Sequence, residues 1–316
     1  MNNDLNIFVE KIMSAKDIVL VAHKNPDGDA LCSMLALAQL IKLNFNKDCV
    51  CVYDGNIPDA LKYVPLRGMV QYCEHIDKSK KFDLAILLDY GTVNNIGGAR
   101  EFIDNAKFVM EIDHHKNDNK LGSIALDDEK APATAVLIYE IMHQKNWEFD
   151  AKVLDLIALG IITDTGNFKY VHDGRALRIM AELVDNGVEI NKLVEIMNNK
   201  PRKTIQTEAK VVAEAQFYYH NRLVVAIINS KDYKNLDGRG ENALSLLGQI
   251  KGVEYIVLLK EQKENQIGVS LRSRKNPINQ IAEQLGGGGH LCAAGAVVRD
   301  SLENVEKQIL ELFKGI

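Results

Sequence analysis

Four short polar clusters hold the residues whose types could do chemistry: His23-Lys24-Asn25-Pro26-Asp27-Gly28-Asp29, then Asp89, then Asp113-His114-His115, then Asp164. Carboxylates and imidazoles are donors for divalent metal ions, and this many exceed what one ion needs. The chemistry they suit is a dinuclear centre, with ions about 3.5–4 Å apart, acting on a phosphate ester. Each cluster closes an apolar run. Residues 18–22 lead into His23, 84–88 into Asp89, 108–112 (broken by Glu111) into Asp113, and 156–162 nearly into Asp164. A strand that stops in such groups delivers them to the carboxyl edge of an open α/β sheet, where those folds bind ligands.

Each motif also has a plain structural reading. Asp29 could cap a helix beginning at Ala30, Asp27-Gly28 could be a turn, and Asp89 before Tyr90-Gly91-Thr92 could be an Asx-type turn. Asp164 could punctuate a helix end. None of these explains His23 at the preceding strand end, or the recurrence of the pattern four times. Gly28 is read as letting the backbone turn sharply between the two carboxylates. In Asp113-His114-His115, adjacent side chains diverge on extended backbone, so one imidazole can ligate metal while the other faces substrate.

The chain that must position these groups is 316 residues long, 47% hydrophobic and 26% charged, enough for a large core and two domains. A net charge of -5 argues against a general nucleic-acid coat, which needs a broad basic surface. Five cysteines, Cys32, Cys49, Cys51, Cys73 and Cys292, follow neither a C-x-x-C nor a paired zinc spacing and read as reduced, mostly packed thiols. No apolar stretch reaches the ~18 residues of a membrane span, and the first residues lack a basic start with a hydrophobic segment, so a soluble cytoplasmic protein without a membrane partner is expected.

Through about residue 185 short apolar runs alternate with amphipathic helices, expected over 30–43, 133–144, 151–161 and 174–185, the pattern of a mainly parallel sheet. Residues 186–220 read as a helical connector, with helices over 188–198 and 204–217 and no strand before 223–228. The remainder, 221–316, restarts an α/β pattern: strands over 223–228, 255–259, 266–271 and 293–298, helices near 243–250 and 278–285. Its glycine run Gly286-Gly287-Gly288-Gly289, followed by His290, joins a helix to a strand, so it reads as a place where main-chain N–H groups meet a phosphate or base rather than as a linker. Arg272 could grip phosphate as a fork, with His290 adding a hydrogen bond.

These residues resemble the DHH phosphoesterase superfamily in its branch with a trailing DHHA1 domain. The likeness runs through His23–Asp29, Asp89, Asp113-His114-His115 and Asp164 to Arg272-Ser273 and the stretch 286–295. Length and the stretch GIITDTGNFKY at 160–170 look most like the standalone oligoribonuclease/pAp phosphatase (nanoRNase) subgroup. The resemblance implies an α/β fold with a parallel-sheet DHH domain (1–185), the connector, and a smaller DHHA1 domain (221–316). It implies one manganese on His23, Asp27 and Asp89 and a second on Asp29, Asp89, His114 and Asp164, with magnesium as the other candidate ion. Asp113 would orient ligands, His115 would face the scissile phosphate, and Arg272, Ser273, Gly288, Gly289 and His290 would bind the distal phosphate or nucleotide. Cys32, where many relatives have glycine, and Asn95, where arginine is common, depart from the subgroup and bear on substrate preference.

The implied activity is metal-dependent degradation of short oligonucleotides to 5′-mononucleotides and dephosphorylation of pAp to AMP. A cyclic di-AMP or pApA phosphodiesterase uses the same centre, and the sequence does not separate the two. A DNA exonuclease for long strands would need more length and basic surface. A pyrophosphatase shares the first-domain pattern but not the Gly-rich ending. A nucleotide sensor without catalysis would have no need of a complete ligand set. Oligomeric state stays open.

Overall fold

The computed structural model describes residues 2–198, 200–236 and 240–314, which divide into two units at Asn199/Lys200. In the first unit the elements are α1 (Asn2–Ser14), β1 (Ile18–Ala22), α2 (Gly28–Phe45), β2 (Cys49–Tyr53), β3 (Val70–Tyr72), β4 (Phe82–Leu88), α3 (Arg100–Asp104), β5 (Ala106–Asp113), β6 (Ile124–Asp127), α4 (Thr134–Gln144), α5 (Ala151–Asp164), α6 (Arg175–Asp185) and α7 (Ile190–Asn198). The sheet is parallel throughout, in the order β3-β2-β1-β4-β5-β6. The chain winds outward from β1 in one direction and from β4 in the other, so β1 and β4 flank the point where strand order reverses.

Both faces of this sheet are covered, which is why its strands read as unbroken apolar runs. Ile18, Leu20 and Ala22 of β1, with Leu84, Ile86 and Leu88 of β4, pack into the larger core beneath α1, α2, α4 and α5. The alternate residues Val19, Val21, Ala85 and Leu87 face a smaller core with Tyr90, Phe102 and Ile103. Helix α2 is buried on nearly all sides, from Gly28 to Ile41, because it is overlaid by other helices as well as by the sheet. Its N-cap is Asp27, whose carboxylate accepts from the Ala30 N–H at 3.1 Å; Asp29 lies inside the first turn instead of capping it.

The second unit contains α8 (Arg202–Ala213), β7 (Gln216–Tyr218), β8 (Leu223–Ile228), α9 (Ser230–Tyr233), α10 (Glu241–Leu247), β9 (Tyr255–Lys263), β10 (Gln266–Ser273), α11 (Asn279–Gln284), β11 (Gly288–His290), β12 (Ala293–Val298) and α12 (Leu302–Leu312). Its sheet runs β11-β12-β10-β9-β8-β7, antiparallel except for the β8–β9 pair. One face packs against Val305, Ile309 and Phe313 of the C-terminal segment, the other against α8 and α10.

The fold is thus α/β, with a parallel sheet, helices in the middle and a second mixed sheet. The 186–220 stretch is not a separate element: Leu193 of α7 belongs to the first core and Val211 of α8 to a core of the second unit. The expected helix over 204–217 ends at Ala213, and Gln216–Tyr218 pair with β8 as an edge strand before residue 223, too short for its periodicity to register. All five cysteines are free, with Cys32, Cys51 and Cys73 buried. No helix among the described residues is long and apolar enough to cross a membrane.

Candidate metal centre

Three of the four polar clusters leave the carboxyl ends of adjacent strands. His23–Asp29 follows β1, Asp89 follows β4, and Asp113 is the last residue of β5 with His114 and His115 just beyond. This is the edge at the strand-order reversal, where an open parallel sheet leaves a crevice for a ligand. Asp164 arrives differently. The apolar run before it is helix α5, not a strand, and Asp164 is that helix's last residue. What brings it in is close approach of α5 to α2. A Cβ on Gly28 would lie 2.4 Å from the Thr163 side chain, and one on Gly160 would lie 2.8 Å from Asp29 Oδ1 and 2.6 Å from the Ala135 methyl. Gly28 is a helical residue without left-handed φ, so its role is clearance for Thr163 and not a sharp turn.

The carboxylates and imidazoles converge into three overlapping groups: His23, Asp27 and Asp89; Asp89, His114 and His115; Asp29, His114 and Asp164. Within each, one donor atom per residue lies within 4.8 Å of the others. Both His23 and His114 are oriented in the way metal-ligating imidazoles usually are, with one ring nitrogen on a backbone carbonyl. His23 places Nδ1 2.8 Å from the Lys24 carbonyl and Nε2 3.7 Å from Asp27. His114 places Nδ1 3.1 Å from the Ala131 carbonyl, while Nε2 stands 3.5 Å from Asp89 and 3.4 Å from Asp164. That Nε2 is buried and has no hydrogen-bond partner. A buried lone pair facing two carboxylates, within a set of oxygen and imidazole donors, fits a divalent ion.

Charge crowding points the same way. Burial, then the charges of Asp89 and Asp27, push the Asp29 carboxyl well above the usual carboxylate range. Burial and the charge of Asp29 do the same to Asp164. Burial opposes the charged form of His23, but the hydrogen bond and charge of Asp27 outweigh it and raise the imidazole to about 9. Carboxylates that repel each other this strongly are relieved by a positive ion.

The donors are held in place by their neighbours. Asp29 takes N–H groups from Thr134 (2.6 Å, on Oδ2) and Ala135 (2.9 Å, on Oδ1) and the Ser33 hydroxyl (3.0 Å, on Oδ1), so it anchors the start of α4, while Oδ2 keeps a further lone pair. Asp89 takes the Thr134 hydroxyl at 3.0 Å and sits in left-handed backbone, φ 52°. Asp113 is saturated: Oδ2 accepts from Tyr90 N–H (3.0 Å) and Gly91 N–H (2.8 Å), Oδ1 from His115 N–H (3.0 Å), with His115 Nδ1 2.8 Å away. Burial works against the His115 cation, yet Asp113 and Asp89 carry it up to about 11. Neighbouring imidazoles therefore differ: His114 turns a bare nitrogen to the carboxylates, whereas His115 is fastened to Asp113.

Ser33, Thr134, Tyr90 and Glu111 support this centre and were not singled out in the sequence. Glu111 carried a signal, being the acid that interrupts the apolar run of β5. The others are ordinary residues of a helix face, a helix start and a loop.

In the second unit, the residues expected to bind substrate cluster at one end of the sheet. Register aligns Arg272 of β10 with Ala293 of β12, and Ala293 with His290 of β11. The side chain of His290 lies outside the described residues. Ser273 donates its hydroxyl to the Asn276 carbonyl at 2.5 Å, and Arg272 donates to the Leu271 carbonyl at 3.0 Å. The glycine run is partly a strand, and two of its members are required by packing: a Cβ on Gly287 would lie 2.0 Å from the Gly295 carbonyl, and Gly289, at φ 143°, would meet Ala294 at 2.6 Å. Gly286 needs its φ of 76° after α11. Gly288 has neither constraint, with nothing within 4 Å of an added Cβ.

Comparison with known families agrees with this layout. The model of the DHH family, N-terminal domain, matches residues 17–161, and that of the DHHA1 domain matches 220–316. The chain carries a DHH-family N-terminal domain and a DHHA1 domain. This DHH protein is 28% identical over 300 residues to the bifunctional oligoribonuclease and PAP phosphatase NrnA of Thermus thermophilus, covering 94% of this chain and 89% of the relative. It is 24% identical over 317 residues to the cyclic-di-AMP phosphodiesterase PdeA of Listeria monocytogenes, covering 95% of this chain but 48% of that protein. Among solved structures, an exopolyphosphatase-related protein from Bacteroides fragilis shares the fold, with a TM-score of 0.90 at 22% identity over 99% of this chain and 97% of that one.

Proposed function

We propose that this DHH protein is a manganese-dependent phosphoesterase that degrades short oligoribonucleotides to 5′-mononucleotides and removes the 3′ phosphate of pAp. The observation that carries the reading is the buried, unpartnered His114 Nε2 directed at Asp89 and Asp164. The paired DHH and DHHA1 domains and the Thermus relative support the substrate class.

In this reading His23, Asp27 and Asp89 hold one cation, and Asp29, Asp89, His114 and Asp164 the other. Bound there, divalent cations supply an acidified water and positive charge opposite the phosphoryl oxygens. Asp89 belongs to both sets and would be shared between them. Asp113 keeps His115 in one orientation, and a charged His115 donates a hydrogen bond to a phosphoryl oxygen as negative charge builds on it. Arg272, Ser273, Gly288, Gly289 and His290 receive the remaining phosphate or nucleotide, with Arg272 as the charged fork and Gly288 as the unobstructed main-chain approach.

The test is a product profile. Purified protein with manganese is given pAp, a dinucleotide, pApA, cyclic di-AMP and a long single strand. The expected outcome is rapid release of 5′-mononucleotides from short substrates and AMP from pAp, slow attack on the long strand, and loss of all of it on chelation. A second reading, hydrolysis of pApA or cyclic di-AMP, is favoured by the Listeria relative, and would appear as a preference for those two. No hydrolysis of any of the five would overturn both.

A further inference from the structure

Behind the metal-facing residues lies a buried hydrogen-bond network, centred on Tyr90 and Glu111, that takes no part in the proposed ligation or chemistry. Tyr90 follows Asp89 and is 1% exposed, and Glu111, also 1% exposed, lies on the same sheet face as Asp113. Glu111 Oε2 accepts from the Tyr90 hydroxyl at 2.9 Å and from the N–H groups of Leu121 (3.1 Å) and Gly122 (2.8 Å). Asn117 donates to the Tyr90 hydroxyl oxygen at 2.7 Å. An added Cβ on Gly122 would lie 3.0 Å from the Glu111 amide nitrogen, so the 121–122 backbone sits tightly against this acid.

The network spans the two loops that carry chemistry. One is the loop after β4, with Asp89 and Tyr90; the other is the loop after β5, with His114 and His115 and then Asn117 to Gly122. Asp89 occupies left-handed backbone, which is strained for a residue with a side chain and persists only where the surroundings over-determine it. The determinants are visible. Asp89 N–H is bonded to the Ile112 carbonyl at 3.1 Å, Tyr90 and Gly91 N–H to Asp113, and the far end of the Tyr90 ring to Glu111.

We propose that Glu111, acting through the Tyr90 hydroxyl, is a positioning residue that holds Asp89 and His115 in register with each other. It touches neither substrate nor metal. It fixes the loop that presents Asp89 against the loop that presents His115, so its loss loosens both.

The decisive variant is Tyr90→Phe, which keeps the packed ring and removes only the hydroxyl. Its control is Tyr139→Phe, since the buried Tyr139 hydroxyl donates to Glu182 far along the chain from either loop. Manganese affinity is measured by calorimetry, Tm by melting, and kcat and KM on pAp. Tyr90→Phe is expected to lower manganese affinity and kcat by about 10–100-fold each with KM little changed, the usual cost of removing a partner that orients a ligand. Tyr139→Phe is expected to lose a similar amount of Tm while leaving affinity and kcat as in the wild type. Glu111→Gln, which keeps an oxygen for the same donors, should retain more activity than Glu111→Ala; if Glu111→Ala does not fold, Tyr90→Phe decides. Unchanged affinity and kcat in Tyr90→Phe, or equal losses in Tyr139→Phe, overturn the inference. The kinetic arm rests on the phosphoesterase reading and the affinity arm does not, so a wild type that binds manganese without turnover refutes that reading and leaves affinity to decide. A wild type that binds no divalent metal refutes both.

Discussion

The two sheet edges that carry the candidate residues are built in opposite ways. At the carboxyl edge of the first sheet, Asp29, Asp89 and Asp113 are all buried, each with hydrogen-bond donors that fix its carboxylate. At the Gly-rich end of the second sheet, Gly288 and Gly289 are exposed, Arg272 is half-buried, and an added Cβ on Gly288 would meet nothing within 4 Å. Chemistry on a phosphate needs donors held to within a fraction of an ångström before substrate arrives, and burial with saturated hydrogen bonds provides that. Recognition of a nucleotide's distant end asks for reach and clearance, which an exposed strand with few side chains provides. The contrast predicts that changes at the first edge act on kcat and metal occupancy, and changes at the second act on KM.

The sharpest way to break the contrast is to remove the residue shared by both proposed cation sets. Asp89→Ala should lower turnover on the order of 10³-fold or more, the equivalent of about 4 kcal/mol, and reduce metal stoichiometry by more than one ion's worth. Stoichiometry is read by elemental analysis beside initial rates, and full activity in this variant removes the basis for a shared ligand. Next is the histidine pair. His114→Ala deletes the bare Nε2 and should lose metal occupancy, whereas His115→Ala should keep occupancy and lose about 10²–10⁴-fold in kcat. Equal metal loss in both would mean that the two rings do not divide their work.

How much of this was legible in the sequence follows from what each feature depends on. The clusters after β1, β4 and β5 were legible because a strand's end and a run's end coincide when both faces of a sheet are covered. Asp164 was legible as a residue, and the helix expected over 151–161 is the one that carries it, although the apolar run before it also suits a strand. What spacing does not encode is the tertiary approach of that helix to α2, which depends on Gly28 and Gly160. Strand β11 was missed because Gly-Gly-His has no strand propensity; it is held by pairing with β12. Glu111 stood out as an acid inside an apolar run, but its partner Tyr90 lies 21 positions away in the sequence.

On the second edge, Arg272→Ala tests recognition directly. Losing charge-assisted hydrogen bonds to a phosphate costs about 1.5–3 kcal/mol, so KM should rise roughly 10–150-fold while manganese affinity and Tm hold. It should also flatten the preference for short strands. A fall in kcat with KM unchanged would instead move Arg272 into the chemistry and dissolve the contrast.

The smallest effects come from matched glycine substitutions, and they compare the edges most directly. In Gly160→Ala the new methyl would lie 2.6 Å from the Ala135 methyl and 2.8 Å from Asp29 Oδ1. Helix propensity favours alanine there by about 1 kcal/mol, but forcing a methyl into a packed interior costs typically 1–3 kcal/mol, so overpacking prevails and Tm should fall along with manganese affinity. In Gly288→Ala the methyl enters open space, and the glycine is not in left-handed backbone. Tm should therefore hold, or rise by the equivalent of about 0.4–1 kcal/mol from a stiffer unfolded chain. If Gly288 is bare so that a phosphate or base can reach the main chain, KM should still rise a few-fold with kcat and metal affinity unchanged. Wild-type KM in Gly288→Ala, measured on pAp and on a dinucleotide, would leave Gly288 with no part in recognition and shift that role onto Arg272 and its neighbours.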